Sequence, residues 1–333
     1  MTQTDNHPDS ELPACAVHTR GLTKTFGGHR AVDGIDLDIR RGEIFGVLGP
    51  NGAGKTTTIR MLATLAQIDD GHAEIFGVDV ASSPHQVRKL VGLTGQYASV
   101  DEGLTARENL QLFSRLQGMD RRSARAVTDE LLDEFGLTAA ADKTLATFSG
   151  GMRRRLDLAA SLITRPPLIV LDEPTTGLDP RTRNQMWQTI RALVDGGATV
   201  LLTTQYLEEA DQLADRIAVI DQGRIVAQGT PAQLKATIGG SGLQLVLADS
   251  GQTGQARDLA ASVRGEEAVH LVRTGELHVA LTQADDAAAV LVALGEAQVG
   301  IESMKVQEPS LDDVFLAITG QQTTDDLSEE VTA

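Results

Sequence analysis

Gly49-Pro50-Asn51-Gly52-Ala53-Gly54-Lys55-Thr56, continued by Thr57, decides how the rest of the chain is read. It fits the phosphate-binding pattern G-x-x-x-x-G-K-[ST], directly after the apolar run Ile44–Leu48 and before an amphipathic stretch that starts near Thr57. Strand, glycine-rich loop and helix in that order let backbone N–H groups and the positive end of a helix dipole converge on phosphate oxygens. Gly49, Asn51, Gly52, Ala53 and Gly54 form the cradle, Lys55 reaches the β and γ phosphates, and Thr56 is placed to ligate magnesium. The ligands implied are ATP and Mg2+. The competing reading of the same residues is a plain tight turn.

Outward from this loop, short runs rich in Val, Ile and Leu at 44–48, 168–171, 199–202 and 217–220 read as buried strands with helical patterns between them. Such alternation implies a mostly parallel α/β sheet. The run Leu168-Ile169-Val170-Leu171 ends in Asp172-Glu173-Pro174. Acids at strand ends are often only turn formers, but beside a phosphate loop Asp172 would hold magnesium through water and Glu173 would polarise the attacking water. Upstream lies Phe148-Ser149-Gly150-Gly151-Met152, followed by a helical run over 153–163 that Ser149 can cap. Arg153, Arg154 and Arg155 in the first turn oppose the helix dipole, so anionic partners are expected to offset them. Solvent with nearby acids is one answer, and a nucleotide γ-phosphate facing Ser149, Gly150 and Gly151 is the other.

The whole chain has 333 residues, which at roughly 150 per domain gives about two domains. Hydrophobic residues make 41% and charged residues 23%, ordinary globular values. With 46 acidic against 29 basic residues the net charge is −17, so no nucleic-acid partner is expected. One cysteine, Cys15, makes no internal disulfide, and neither a signal peptide nor an apolar run long enough to cross a bilayer is visible. A cytoplasmic protein that meets a membrane only through a partner is the reading. Residues 1–14 and the acidic stretch 320–333 read as mobile tails. The nucleotide-binding part is expected over 15–238, a linker at 239–242, and a small domain over 243–319.

That small domain reads as strands at 243–248, 268–273, 276–282 and 299–307 with helices at 255–263 and 285–294, a βαββαβ, ferredoxin-like α+β order. His270 and His278 fall on its strands as structural residues, and no transition-metal cluster is expected. At its end Leu311, Val314, Phe315 and Ile318 share one face of a short helix, with Asp312 and Asp313 turned outward. This face either packs on the domain's own sheet or docks on the nucleotide-binding part or a second subunit. Elsewhere Thr105 to Glu108 fits a capping box, Thr230-Pro231 an N-cap, and Gly136, Gly196 and Gly197 helix stops.

The ordered set GPNGAGKTT, FSGGM and LIVLDEP, with Thr176-Gly177-Leu178-Asp179 following, resembles the nucleotide-binding subunit of an ATP-binding cassette (ABC) transporter from residue 16 to about 238. The fold so implied is an α/β P-loop NTPase of the ABC type with the small domain appended. The resemblance implies that Phe26 stacks on adenine, that Gln96 is the switch-loop glutamine touching magnesium, and that Asp179 is the dimer-loop aspartate. For Phe26 an ordinary strand aromatic is the alternative. More narrowly, VDEGLT at 100–105, TTQY at 203–206 and PSLDDVFL at 309–316 look like the daunorubicin/doxorubicin-resistance ATP-binding group. That extends the resemblance to nearly the whole chain.

Two departures stand out. Gln205 occupies the place where most cassette ATPases carry a histidine, and Met152 replaces the usual signature glutamine. Gln205 still offers an amide hydrogen bond but takes up no proton near neutrality. Because a single chain cannot wrap Ser149 to Met152 onto its own Lys55, a head-to-tail homodimer with two ATP in its interface is implied. The function expected from the resemblance is ATP binding and hydrolysis that energises export of a hydrophobic antibiotic through a separate membrane permease. A lipid, glycan or peptide cargo is the alternative, and a soluble cassette ATPase acting on ribosomes or DNA the remote one.

Overall fold

The computed structural model describes residues 12–95, 100–237, 241–281, 284–307 and 310–319. It divides into two compact units, Met1–Gln228 and Gly229–Ala333.

In the first unit a four-stranded sheet holds β1 (Cys15–Phe26), β2 (His29–Arg40), β4 (Asp70–Ile75) and β5 (Val78–Asp79) in the order β2-β1-β4-β5. All its pairings are antiparallel. The sequence reading did not foresee this sheet, although Gly27 and Gly28, both at positive φ, give β1 and β2 the two-residue turn such a hairpin needs. The second sheet runs β10-β9-β3-β8-β7-β6, from β3 (Ile44–Leu48), β6 (Val91–Thr94), β7 (Leu168–Asp172), β8 (Thr199–Thr204), β9 (Arg216–Asp221) and β10 (Arg224–Gly229). From β9 to β6 neighbouring strands are parallel.

Every residue of β3, β7 and β8 is buried, which is why these strands appear as unbroken apolar runs rather than alternating ones. Their side chains nonetheless alternate between two cores. Phe45, Val47, Leu168, Val170 and Leu201 join Val17, Ile35, Ile59 and Met61 on one side. Ile44, Ile169, Leu171, Val200 and Leu202 join Leu156, Ala159, Met186 and Ile190 on the other.

Helices α1 (Lys55–Leu62) and α2 (Pro84–Leu90) follow β3 and β5, and α3 (Ala106–Leu116), α4 (Arg121–Glu134) and α5 (Gly150–Ser161) lie between β6 and β7. Helices α6 (Pro180–Asp195) and α7 (Leu207–Leu213) flank β8. The expected capping box is present at α3, where Glu108 N donates to Thr105 Oγ1 at 3.1 Å and Thr105 N donates to Glu108 at 2.8 Å. Ser149 caps α5, which begins at Gly150 rather than 153. Its inner face buries Leu156, Leu158 and Ala159, and truncating such a leucine to alanine costs about 2–5 kcal/mol.

The second unit contains α8 (Pro231–Ala236), β11 (Gly242–Leu247), α9 (Thr253–Arg264), β12 (Val269–Arg273), β13 (Glu276–Ala280), α10 (Ala284–Glu296), β14 (Ile301–Gln307) and α11 (Leu311–Thr319). The antiparallel order β12-β13-β11-β14 is the ferredoxin-like arrangement expected. Leu243, Leu245, Leu277 and Val279 meet Ala256, Ala260, Val290 and Leu294 from its two helices. His270 and His278 sit opposite each other across β12 and β13.

The glycine-rich stretch suggested a boundary at 239–242, whereas the compact division falls at Gln228, so that α8 belongs with the second unit. There α8 packs against α11. Gly239 and Gly240 lie outside the described residues, as do both expected tails except for residues 12–14, and Gly242 opens β11.

Candidate nucleotide site

Parallel register sets Leu48 beside Thr204 and Val219, Asp172 beside Thr203, and Thr94 beside Leu171. The carboxyl ends of β3, β6, β7 and β8 therefore lie level, the edge where open parallel sheets place ligands. The phosphate loop leaves β3 at this edge. A Cβ at Gly49 would lie 2.2 Å from the Ile220 carbonyl oxygen, and one at Gly54 would lie 2.3 Å from that of Ala31. Gly54 also holds φ at 105°, so only glycine fits there. Helix α1 starts immediately after it with no side-chain cap and no acid in its first turn, which leaves its N-terminal N–H groups and dipole end to an anion.

Lys55 is buried, and its Nζ donates to the carbonyls of Gly49 at 2.8 Å and Pro50 at 3.1 Å. The same Nζ stands 3.8 Å from Glu173 Oε1. Burial pushes the ammonium pKa down, while the Glu173 and Asp172 carboxylates counter the shift. Thr56 Oγ1 donates to Asp172 Oδ1 at 3.2 Å, and Thr203 Oγ1 donates to that oxygen at 2.6 Å. A hydroxyl and a carboxylate in contact are hard oxygen donors, the set that suits magnesium rather than a soft transition metal.

Glu173 has φ 49°, left-handed backbone that costs a non-glycine residue on the order of 1–3 kcal/mol. Its N–H is held by Thr203, donating to both the carbonyl and the hydroxyl oxygen at 3.1 Å. Strain retained beside Lys55 and Asp172 marks this turn as built for its side chain's position.

The remaining expected residues fall in two further places. Ser149 accepts from Met152 N at 3.3 Å, and Asp179 caps α6 by accepting from Thr182 N at 3.0 Å and Thr182 Oγ1 at 2.6 Å. Those hydrogen bonds hold the Asp179 carboxyl below the usual range. Gly150 meets nothing within 4 Å, but a Cβ at Gly151 would lie 2.1 Å from Thr182 Cγ2, so α5 and α6 approach closely there. Met152 packs against the apolar core. Among the described residues no hydrogen bond or ion pair joins this group to Lys55. Phe26 ends β1, 53% exposed, with Lys24 Nζ 5.4 Å from its ring centre. Gln205 is half-buried just past β8, and Thr57 lies in the first turn of α1. Gln96 lies outside the described residues.

Partners for the three arginines come from within the chain. Arg153 pairs with Glu102 at 2.5 Å, Arg155 donates to the Phe135 carbonyl at 3.1 Å, and Arg154 turns inward onto a set of carbonyl oxygens. Sequence reasoning quoted Thr203 within TTQY but gave it no role at the site, and it missed Glu209 on α7. Glu209 is fully buried and accepts from Thr175 Oγ1 at 2.8 Å and Trp187 Nε1 at 3.2 Å. Burial raises its pKa against those hydrogen bonds and the nearby Arg183. Away from this edge, Cys15, His18 and Asp38 bring three potential ligand atoms within 4.8 Å, a grouping the sequence did not suggest, although Arg20 already pairs with Asp38 at 3.1 Å.

Phosphate loop, acidic strand end and Ser149-capped helix on this sheet define the nucleotide-binding domain of an ATP-binding cassette ATPase. The "ABC transporter" family model matches residues 32–176, and the model of the "ATP-binding protein DrrA1-3-like, C-terminal domain" matches residues 229–319. The chain is 52% identical over 321 residues to the daunorubicin/doxorubicin resistance ATP-binding protein DrrA of Streptomyces peucetius, covering 96% of each. It is 45% identical over 214 residues, 64% of its length, to the Nod factor export ATP-binding protein I of Ralstonia nicotianae, covering 67% of that protein. Among solved structures, an ATP-binding cassette in a dimeric post-hydrolysis state with ADP and Pi superposes with TM-score 0.59 at 25% identity, covering 64% of this chain and 98% of that one. The chain belongs to the ABC transporter ATP-binding subunits of the daunorubicin/doxorubicin-resistance (DrrA) type. It is an ATP hydrolase subunit that energises a separate permease, and among its described residues no helix is long and apolar enough to cross a membrane.

Proposed function

We propose that this chain drives export of a hydrophobic, anthracycline-like antibiotic by binding and hydrolysing ATP as a head-to-tail homodimer on a membrane permease. The observation that carries the chemistry is the approach of Lys55 Nζ to Glu173 Oε1 at 3.8 Å, beside the hydrogen bond from Thr56 to Asp172. Lys55, the loop amides of Gly49 to Gly54 and the uncapped start of α1 with Thr57 bind the phosphates. Glu173 polarises the attacking water, and Gln205 donates its amide to the γ-phosphate. Thr56, Asp172 and Gln96 hold magnesium, which when bound neutralises charge on the phosphate oxygens. Phe26, more than half exposed at its strand end, stacks on adenine.

Ser149, Gly150, Gly151 and Met152 of one copy close on the nucleotide at Lys55 of the other, with Asp179 at the same interface. This pairing is supported by the likeness to a cassette solved as a dimer after hydrolysis, and by the lack, among the described residues, of any hydrogen bond or ion pair from Ser149 to the Lys55 group of its own chain. Closure with ATP and opening after hydrolysis would move the permease, placing the subunit peripherally on the cytoplasmic membrane face.

The drug cargo is supported by similarity that spans 96% of the chain and includes the C-terminal domain. The likeness to a Nod factor exporter covers 64% of the chain and favours, as a second reading, a glycan- or lipid-like cargo. Inverted vesicles carrying the subunit with its permease distinguish the two. ATP-dependent uptake of a fluorescent anthracycline, abolished by Glu173→Gln while nucleotide binding persists, is the expected result. Hydrolysis without anthracycline uptake, alongside transport of a lipid-linked saccharide, would move the assignment to the second reading.

A further inference from the structure

Three arginines in a row look alike in sequence, yet only Arg154 reaches across to the strand end that carries Glu173. Its Nη2 donates to the carbonyls of Asp172 at 3.0 Å and Glu173 at 2.9 Å, its Nε to that of Pro174 at 3.0 Å, and its Nη1 to that of Gly95 at 2.7 Å. Three consecutive carbonyls from β7 and the turn beyond it thus converge on one guanidinium. A fourth comes from Gly95, just past the end of β6 and immediately before Gln96. The left-handed peptide of Glu173 is consequently gripped from both sides, its N–H by Thr203 and its carbonyl by Arg154. A backbone conformation that a glutamate adopts only under constraint has here a constraint in full.

We propose that Arg154 is a positioning residue for hydrolysis: through the backbone of residues 172–174 it sets the Glu173 carboxylate, and it ties that setting to helix α5 and to the strand end leading to Gln96. Arg154 rides on the helix that Ser149 caps, five residues further on. A shift of α5 when Ser149 engages a partner copy's nucleotide therefore pulls on the Glu173 turn of its own chain. The geometry requires a planar fork. Lysine, with one compact ammonium, cannot span acceptors contributed by two separate segments, the end of β7 with its turn and Gly95 beyond β6, so at this position the two cations are not equivalent.

The inference rests on Glu173 acting on the attacking water, and the test separates the two ideas. Steady-state ATPase kinetics, fluorescent-nucleotide affinity and thermal melting are measured for the full-length chain and for Arg154→Lys, Arg154→Ala and Glu173→Gln. Arg154→Lys is expected to lower kcat by about tenfold or more, the scale of a misplaced catalytic group, with KM, nucleotide affinity and melting temperature near wild type. Millimolar guanidinium should restore part of the kcat of Arg154→Ala and none of that of Glu173→Gln. A wild-type kcat in Arg154→Lys, or a loss shared with nucleotide affinity or melting temperature, overturns the positioning role. So does failure of guanidinium to rescue a folded Arg154→Ala. Normal turnover in Glu173→Gln would instead remove the role of Glu173 itself.

Discussion

Thr56 and Asp172, 116 residues apart in sequence, meet through a 3.2 Å hydrogen bond from Oγ1 to Oδ1. One residue comes from the first turn of α1 and the other from the last position of β7, brought level by the pairing of both β3 and β7 with β8. Thr203 donates to the same carboxylate oxygen at 2.6 Å and so fixes its orientation. Asp172→Asn keeps an oxygen for both hydroxyls but removes the charge. It is expected to raise the magnesium needed for half-maximal ATPase activity by about 10- to 100-fold, the usual cost of disturbing an outer-sphere partner. A magnesium titration of the purified variant checks this, and an unchanged midpoint would exclude Asp172 from the metal's surroundings.

Gln205 follows Thr204, whose hydroxyl accepts from Tyr206 N at 2.9 Å, so the residues on either side of Gln205 are joined to each other. If the side chain acts only as an amide donor, Gln205→Ala should lower kcat by about 10²-fold, the scale of one lost donor to developing charge. Gln205→His should retain or exceed wild-type turnover. Its rate should also acquire a dependence on pH around the histidine value of about 6.5, which a glutamine at this position cannot supply. A pH–rate profile of both variants decides, and full activity in the alanine variant would make the position idle.

Gly150 and Gly151 are adjacent but differently constrained. At Gly151 a methyl group would meet Thr182 Cγ2 at 2.1 Å, whereas at Gly150 it would meet nothing within 4 Å. Gly151→Ala is therefore expected to push α5 off α6 and lower stability by about 1–3 kcal/mol. Gly150→Ala should melt like the wild type yet, on the proposed head-to-tail pairing, lose ATP-dependent dimerisation, because its methyl would enter the face that pairing offers to the partner's nucleotide. Thermal melts and size-exclusion with ATP in a Glu173→Gln background read both. Normal dimerisation of Gly150→Ala would count against that face.

Glu209 gives a pH prediction whose sign follows from burial. Its folded pKa is raised above the unfolded value, so the folded state holds the proton more tightly. Stability from this group is present below the unfolded pKa and is lost as pH rises through the folded one. Glu209→Gln keeps an acceptor for Thr175 and Trp187 without a charge. It should melt higher than the wild type at alkaline pH, with the difference shrinking as pH falls through the raised pKa. A gap that grows on acidification would reverse the assignment.

What the sequence disclosed and what it hid divide along physical lines. Strands β3, β7, β8 and β9 were legible because burial on both faces leaves unbroken apolar runs, and the phosphate loop because Gly49 and Gly54 admit no other residue. Caps at Thr105 and Thr230 involve neighbours three residues on and could be read locally. By contrast, the separate fates of Arg153, Arg154 and Arg155 depend on Glu102, Gly95, Asp172 and Phe135, 18 to 59 residues away, and nothing local distinguishes them. Glu209 has the look of a surface acid on a short helix, but it is enclosed by Thr175 and Trp187 from other elements. The glycine-rich stretch at 239–242 did not disclose where the compact units divide, because α8 is claimed by its contact with α11.

That contact supplies the remaining prediction. Leu311, Val314 and Phe315 are each at most 2% exposed, and Leu234 on α8 is 3% exposed, while Asp312 and Asp313 face outward as the helical spacing required. The side chain of Ile318 lies outside the described residues. Among the described residues Leu311, Val314 and Phe315 do not join the apolar cluster beneath the β11–β14 sheet, and α11 packs on α8. Phe315→Ala should lower the stability of the subunit by about 3–5 kcal/mol. Ser310 caps the helix, with Asp313 N donating to Ser310 Oγ at 3.2 Å, so Ser310→Ala should cost about 1 kcal/mol through the helix end alone. If the face serves only to join α11 to α8, both variants should lose stability in that ratio and still dimerise with ATP at a temperature where they remain folded. Loss of dimerisation or permease assembly in Phe315→Ala, with Ser310→Ala unaffected, would show instead that this face also meets the second subunit or the permease.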